Sequence, residues 1–497
     1  MALAVDTLAV FTVLFAIFVF FGFYGSRWRK GNLNQLAEWA LAGRRLGTFL
    51  AFFLVGADVY TAYTFVAVPS GVFASGSLYF FAVPYVAITF GIAIAFTPKL
   101  WVLSREKGYV TGSDYIKDKF QSRTLGILTA LTGIVAVLPY IALQLVGMQA
   151  VLASMLVGVA NASTIEEVAL LIAVIILAAF TFTSGLRGAT LTAVFKDALV
   201  WLAVISVIVA VLLKVGSFGP IFSNVKANYV TVPPASVAGY STLVLGSAIA
   251  LYLYPHTING VLSAQSPHKL RLSTSFLPLY GLGLAFLALF GIIIYSFPAA
   301  LSFLKNFPAG SQGIYVVPSM ILTVLPGWLA GAALLGVFVG GLVPAAIMAI
   351  AQANLLTRNI IKEFKPNLSP EGESRIAKWA SAVMKFLALA FVFLAPATYA
   401  IQLQLLGGIL IAQLFPSLFV SLYTGWFRRE GLIAGLLVGI FSGLYMALQA
   451  NSYGALKTSL FASPFGSLYI AVIALFLNLV VAGVISAAYS PKSAVGT

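Results

Sequence analysis

Long apolar runs separated by short polar stretches make up almost the whole chain. Each run approaches or exceeds the ~17–25 residues an α-helix needs to cross a bilayer. The pattern predicts thirteen spans, near residues 5–25, 48–73, 77–98, 125–155, 168–184, 190–213, 240–262, 274–297, 327–355, 379–396, 401–426, 431–450 and 466–488. Two runs carry polar and helix-breaking residues at hydrocarbon depth. Span two holds Gly56 and Asp58, then Pro69-Ser70-Gly71. Span seven reads Y-L-Y-P-H-T-I-N-G, with Pro255, His256, Asn259 and Gly260 in its middle or inner half. The two lie five spans apart. Interrupted helices at matching positions of two halves point to inverted repeats of the kind that build transporters, here spans 2–6 and 7–11. Two ordinary kinked helices are the alternative, since Pro and Gly are common in membrane helices.

Composition narrows the class. The chain of 497 residues is 61% hydrophobic and 8% charged, with a mean hydropathy of +1.03. Soluble domains average about 25% charged residues, so an all-α polytopic membrane protein embedded in the lipid bilayer is expected. The absence of cysteine excludes disulfides and thiolate metal sites, and two histidines argue against a histidine metal centre. The net charge of +15 raises the question of nucleic acid, and position answers it. With the N-terminus outside, all of the 28 Lys and Arg except Lys214, Lys226, Lys305 and Lys457 fall on the cytoplasmic side. That is the positive-inside rule, and it places the C-terminus inside. No nucleic-acid partner is implied. The first span, followed by Arg27, Trp28, Arg29 and Lys30, reads as a retained anchor.

The expected organisation is an N-terminal helix outside the core (1–30), a transporter core (38–430), and two peripheral helices with a short tail (431–497). The longest polar stretches, 99–124, 216–239 and K-P-N-L-S-P-E-G-E-S-R, are of loop size. No H-E-x-x-H or paired-acid constellation is present, so an enzyme is disfavoured and no cofactor is expected. A channel is the alternative from a different class.

Several stretches carry a resemblance. E-W-A-L-A-G-R-R-L-G-T precedes span two, and F-V-A-V-P-S-G ends it. G-A-D-V-Y-T-A-Y-T-F, L-P-Y-I-A-L-Q-L, S-G-L-R-G-A-T-L-T-A-V-F-K-D, Y-P-H-T-I-N-G and L-V-P-A-A-I-M complete the set. From about residue 38 to 430 the chain resembles the solute:sodium symporters, and within them the bacterial monocarboxylate permeases. The resemblance implies 13 transmembrane helices with a LeuT-like 5+5 inverted-repeat core. It also implies secondary transport of a small acid such as lactate or pyruvate, or of alanine. A sodium-coupled symporter of amino acids such as alanine or proline is the alternative.

The likeness fails where the family binds sodium. That site takes backbone carbonyls from span two, here at Ala57 and Tyr60, and hydroxyls from span nine. In this chain span nine reads A-A-I-M-A-I, so Ala346 is followed by Ala349 and Ile350 at the two hydroxyl positions. A hard cation wants oxygen ligands, and methyl groups offer none. On span six the family's W-T-D becomes L-T-A, with Ala193 in place of the carboxylate. Lys196 shares a helical face with Ala193 and is followed by Asp197. Its ammonium is placed to reach the vacated site and to carry a coupling proton, as in proton-coupled transporters of similar architecture. The plainer reading is a lysine snorkelling to the inner surface, since adjacent helical residues do not face each other. Lys385 on span ten also reads as a snorkelling anchor.

Asp58 is the one acid deep in a span. It has three candidate roles: coupling-proton carrier, cation ligand, or cap of the second half-helix. Around it Tyr60, Thr61, Tyr63 and Thr64 supply hydroxyls. Tyr140 and Gln144 share a face of span four, and Tyr252, His256 and Asn259 come from span seven. These nine residues are the candidate substrate site; ordinary interhelical hydrogen bonding is the alternative for each. Half-helix N-termini offer free N–H groups and a positive dipole end, which suits a small carboxylate where no arginine lies deep.

Overall fold

The computed structural model describes residues 5–28, 31–223, 225–394 and 400–489. Arg29, Lys30, the end of span ten at 395–396 and the tail from 490 lie outside the described residues. In chain order the main helices are α1 (Val5–Tyr24), α2 (Thr48–Ala57), α3 (Val68–Ser75), α4 (Ala82–Lys107), α5 (Gly112–Phe120), α6 (Arg123–Met155), α7 (Ala162–Ser184) and α8 (Leu186–Val215). There follow α9 (Val237–Leu251), α10 (Pro255–Ser263), α11 (Pro267–Phe276), α12 (Pro278–Ile293), α13 (Val316–Val324) and α14 (Gly327–Leu356). The last are α15 (Pro370–Leu394), α16 (Ala400–Ile411), α17 (Arg429–Ala450) and α18 (Ile470–Ala488). Among the described residues twelve helical runs are long and apolar enough to cross a membrane, and Thr48–Ala57 is a shorter apolar helix. The chain is an all-helical, polytopic membrane protein.

The centre of the molecule is α14. Its apolar window is wholly buried, and it packs against α1, α6, α8 and α15. Lipid gives no hydrophobic drive between helices, so close approach of backbones has to hold them together. Gly341 shows how: a Cβ there would sit 2.5 Å from the carbonyl oxygen of Gln144 on α6. By contrast α1, α7 and α18 present apolar side chains outward, among them Phe20, Ile172 and Val484.

Both expected breaks exist, and the structure locates them. Span two stops at Ala57 and resumes as a π-helical turn, Tyr63–Ala67, that continues into α3. Pro69 does not break the second half: helical geometry runs without interruption from the π-helical turn through Pro69 to Ser75. Span seven stops at Leu251 and resumes at Pro255, a proline that opens a helix after the extended Tyr254.

Two expectations are corrected. Span thirteen does not begin at residue 466. Leu460–Ser463 and Gly466–Tyr469 form an antiparallel hairpin, β1 and β2, and the helix begins at Ile470. The turn needs Gly466 at φ 99°, a left-handed conformation that ends any helix there. Lys385 does not reach a surface. It is enclosed where α15 packs against α6, α7 and α14, and its ammonium donates to Ser381 of its own helix, to Oγ at 2.8 Å and to the carbonyl at 3.2 Å.

Candidate substrate and ion site

The break in span two exposes backbone groups that need partners at membrane depth. The Ala62 N–H donates to Gln144 Oε1 at 2.9 Å, and the Tyr63 N–H donates to Thr61 Oγ1 at 3.0 Å. The Thr64 hydroxyl donates to the Val59 carbonyl. Gln144 is held in turn by donating to Tyr140 O, one turn back on α6, at 3.2 Å. Thus Gln144, Thr61 and Thr64 build the break itself. Asp58 does not cap the second half-helix: both its carboxylate oxygens are buried without a hydrogen-bond partner among the described residues. It lies in electrostatic reach of Lys196, Tyr140 and Tyr252.

Lys196 of α8 is fully buried, which rules out the snorkelling alternative. Its ammonium donates to the Tyr60 carbonyl at 2.8 Å and pairs with Asp197 Oδ1 at 2.8 Å. Neighbouring helical positions point about 100° apart, which had argued against this pair. The lysine stem is long enough to fold back across that angle. The other oxygen of Asp197 accepts from the Tyr280 hydroxyl of α12 at 2.5 Å. Tyr280 is a member of this cluster that sequence reasoning missed, because spacing in an apolar run does not reveal which neighbour a tyrosine faces. Its ring fits against the break only because position 56 is glycine: a Cβ there would lie 2.2 Å from the ring. Tyr60 stacks edge-on against Tyr280 at 4.5 Å and against Trp201 at 5.6 Å.

The break in span seven brings the remaining residues together. His256 is fully buried, with neither ring nitrogen hydrogen-bonded among the described residues. It packs between Tyr140 (5.6 Å) and Tyr254 (5.2 Å). Tyr63 lies against Tyr85 at 6.3 Å, and Tyr252 against Phe90 at 6.4 Å. The structure therefore places Asp58, Tyr140, Tyr252 and His256 around the two breaks. Asn259 lies one turn further along α10, at a separate small cavity. Gln402 and Gln413 are engaged elsewhere, with Tyr79, Ser459 and Asn478.

Residues 39–439 match the sodium:solute symporter family. The chain belongs to that family. A monocarboxylate transport permease protein of Rhizobium johnstonii is 38% identical over 497 residues, covering 98% of each chain. A Bacillus subtilis symporter, YodF, is 32% identical, covering 91% of this chain and 89% of its own. Among solved structures, a substrate-bound, outward-open Na⁺-coupled sialic acid symporter has the same fold. Its TM-score is 0.73 at 16% identity, over 98% of this chain and 99% of that one. This symporter is a secondary solute transporter and not an enzyme. It is a multi-pass membrane protein, in bacteria of the cell membrane.

Within this symporter, Ala57, Ala193, Ala346, Ala349 and Ile350 are all fully buried. None of their side chains offers an oxygen or nitrogen. The basic side chain that reaches the break in span two is Lys196.

Proposed function

We propose that the chain is a symporter of small monocarboxylates driven by protons, in which Lys196 stands where family members hold sodium. The observation that carries this reading is the hydrogen bond from the Lys196 ammonium to the Tyr60 carbonyl. That carbonyl belongs to the set that the family resemblance assigns to sodium, and the span-nine positions that would complete the set are Ala349 and Ile350. A lysine can lose and regain its proton, so the same position serves as the coupling group. Asp58 and Asp197 flank it and complete the proton-handling cluster. Cargo identity is supported by the monocarboxylate permease relative and by the chemistry of the cluster. The first turn of α10 starts without a side-chain cap, beside His256 and Tyr140. It offers N–H donors and a positive dipole end to one carboxylate.

The proposed architecture has thirteen spans, the N-terminus outside and the C-terminus inside. Spans 2–6 and 7–11 are inverted repeats, and the bundle of spans 2, 3, 7 and 8 rocks against spans 4, 5, 9 and 10. The competing reading is sodium-driven symport of an amino acid such as alanine or proline, and the family as a whole favours it. Labelled lactate, pyruvate and alanine uptake into proteoliposomes, with proton and sodium gradients imposed separately, decides between them. Concentrative lactate or pyruvate uptake under a proton gradient alone, abolished in Lys196→Ala and Asp58→Asn, is expected. Uptake that needs sodium would remove the lysine from its proposed role.

A further inference from the structure

Beside the span-seven break and Asn259, which lies three residues or about 4.5 Å along α10 from His256, a cavity of about 10 Å³ lies between α5, α6, α10, α14 and span eleven. That is room for about one water. Leu253 and Pro255 of the span-seven break line it together with Thr111, Gly112 and Ser113. Its lining sets a few polar groups among apolar side chains, including Ile116, Leu355, Leu414 and Leu418. The Asn259 side chain is 2% exposed, lines the cavity, and its amide nitrogen has no partner among the described residues. On its wall the Thr129 hydroxyl donates to Ser113 Oγ at 3.1 Å and to the Gly126 carbonyl at 3.0 Å. The first turn of α5, a helix of nine residues, lies on it; a capping box takes up the Thr111 and Asp114 N–H groups and leaves those of Gly112 and Ser113 without an intrahelical acceptor. No lysine or arginine lines the cavity, and neither does Asp114, whose carboxylate is turned to Asn359 and the backbone of Val110 and Thr111.

The wall formed by α5 is fastened by polar contacts. The Thr111 hydroxyl donates to Asn359 Oδ1 at 2.7 Å, and Asn359 Nδ2 donates to Asp114 Oδ1 at 2.7 Å. The hydroxyls of Tyr115 and Ser421 meet at 2.9 Å, and Lys117 pairs with Glu363. Contacts of this kind exchange for water at small net cost, so α5 can separate from the ends of α14 and span eleven.

We infer that this cavity is an inner subsite for the cargo carboxylate, closed by α5 as a lid on the cytoplasmic side. The inference rests on the monocarboxylate reading above. Neutral donors without a cation fit a single carboxylate and disfavour a dianion or a phosphate. The volume in this structure admits no cargo, so the subsite fills only when α5 lifts, and it receives the acid directly from the neighbourhood of His256.

The absence of native cysteine makes the test direct. Ser113→Cys, with Thr129→Cys as a second probe should the first fold poorly, is reconstituted and exposed to a membrane-impermeant thiol reagent on the α5 face. Saturating lactate is expected to slow labelling several-fold, and adding Asn359→Ala to speed it several-fold. Adding Asn259→Leu should remove the protection by lactate. Labelling indifferent to lactate, in a protein whose unmodified form takes lactate up, would overturn the subsite while leaving the transport reading intact. If the unmodified protein takes up no monocarboxylate, the functional reading fails and the subsite with it. Labelling unchanged by Asn359→Ala would show that α5 is not the lid.

Discussion

Lys196 and Asp197 are a charge pair at a depth where each alone would be costly. The pair has one further partner on each side, the Tyr60 carbonyl and the Tyr280 hydroxyl. Removing one member of a buried pair typically costs about 3–5 kcal/mol, because the survivor is left desolvated and unpaired; removing both costs far less. Lys196→Ala should therefore lower the melting temperature of the purified protein clearly. Lys196→Met with Asp197→Leu, which puts apolar side chains of similar volume in place of the pair, should recover most of that loss while staying inactive. Equal melting of the single and double variants would mean that the pair carries no net interaction. This comparison also separates a folding defect from a transport defect in the Lys196→Ala uptake assay.

At the scale of elements, the two half-helices are positioned by unlike means. The second half of span two is capped from another helix, by Gln144, whereas α10 opens on Pro255 without a side-chain cap. Gly56→Ala tests how tightly the first break is packed. Its Cβ would lie 2.2 Å from a ring whose hydroxyl is held by Asp197, so the ring has little freedom to retreat. Sharply reduced monodisperse yield on size exclusion is expected, with recovery in Gly56→Ala combined with Tyr280→Leu. Yield unaffected by Gly56→Ala alone would show that the ring moves freely. The helices and both breaks were legible in the sequence because each leaves a local mark: a run of apolar residues, or a Pro, Gly or Asp within one. The hairpin at 460–469 left a weaker mark, since its second strand, G-S-L-Y, runs without a charged residue into the apolar helix that follows. Tyr280, the burial of Lys385 and the use of Gln144 as a cap were not legible. Each is decided by which face of a helix meets which neighbour, and an all-round apolar helix does not reveal that from spacing alone.

For the whole molecule, the question is how a sodium:solute symporter fold would work with alanine and isoleucine at the positions proposed for its sodium ligands. A bound cation at the break in span two does two things: it neutralises exposed carbonyl dipoles and it ties that helix to a neighbour. The Lys196 ammonium does both from α8, through the Tyr60 carbonyl and with Asp197 as its counter-charge. On this view the lysine and the missing hydroxyls are one exchange, and the exchange should run backwards. Lys196→Ala, Ala349→Ser and Ile350→Ser together would remove the tethered cation and return two oxygen ligands near the carbonyls of Ala57 and Tyr60, with Asp58 and Asp197 as nearby charge. Hard cations are held by such oxygen sets. The expected outcome is a protein whose lactate uptake, lost in Lys196→Ala, returns in part and only with sodium. The companion measurement is sodium-dependent thermal stabilisation in detergent, which reports binding without transport, since a ligand that binds only the folded state raises its apparent stability. A monodisperse triple variant that melts at the same temperature with and without sodium would show that Lys196 does not occupy the family's cation position. Its role would then be confined to the buried pair with Asp197.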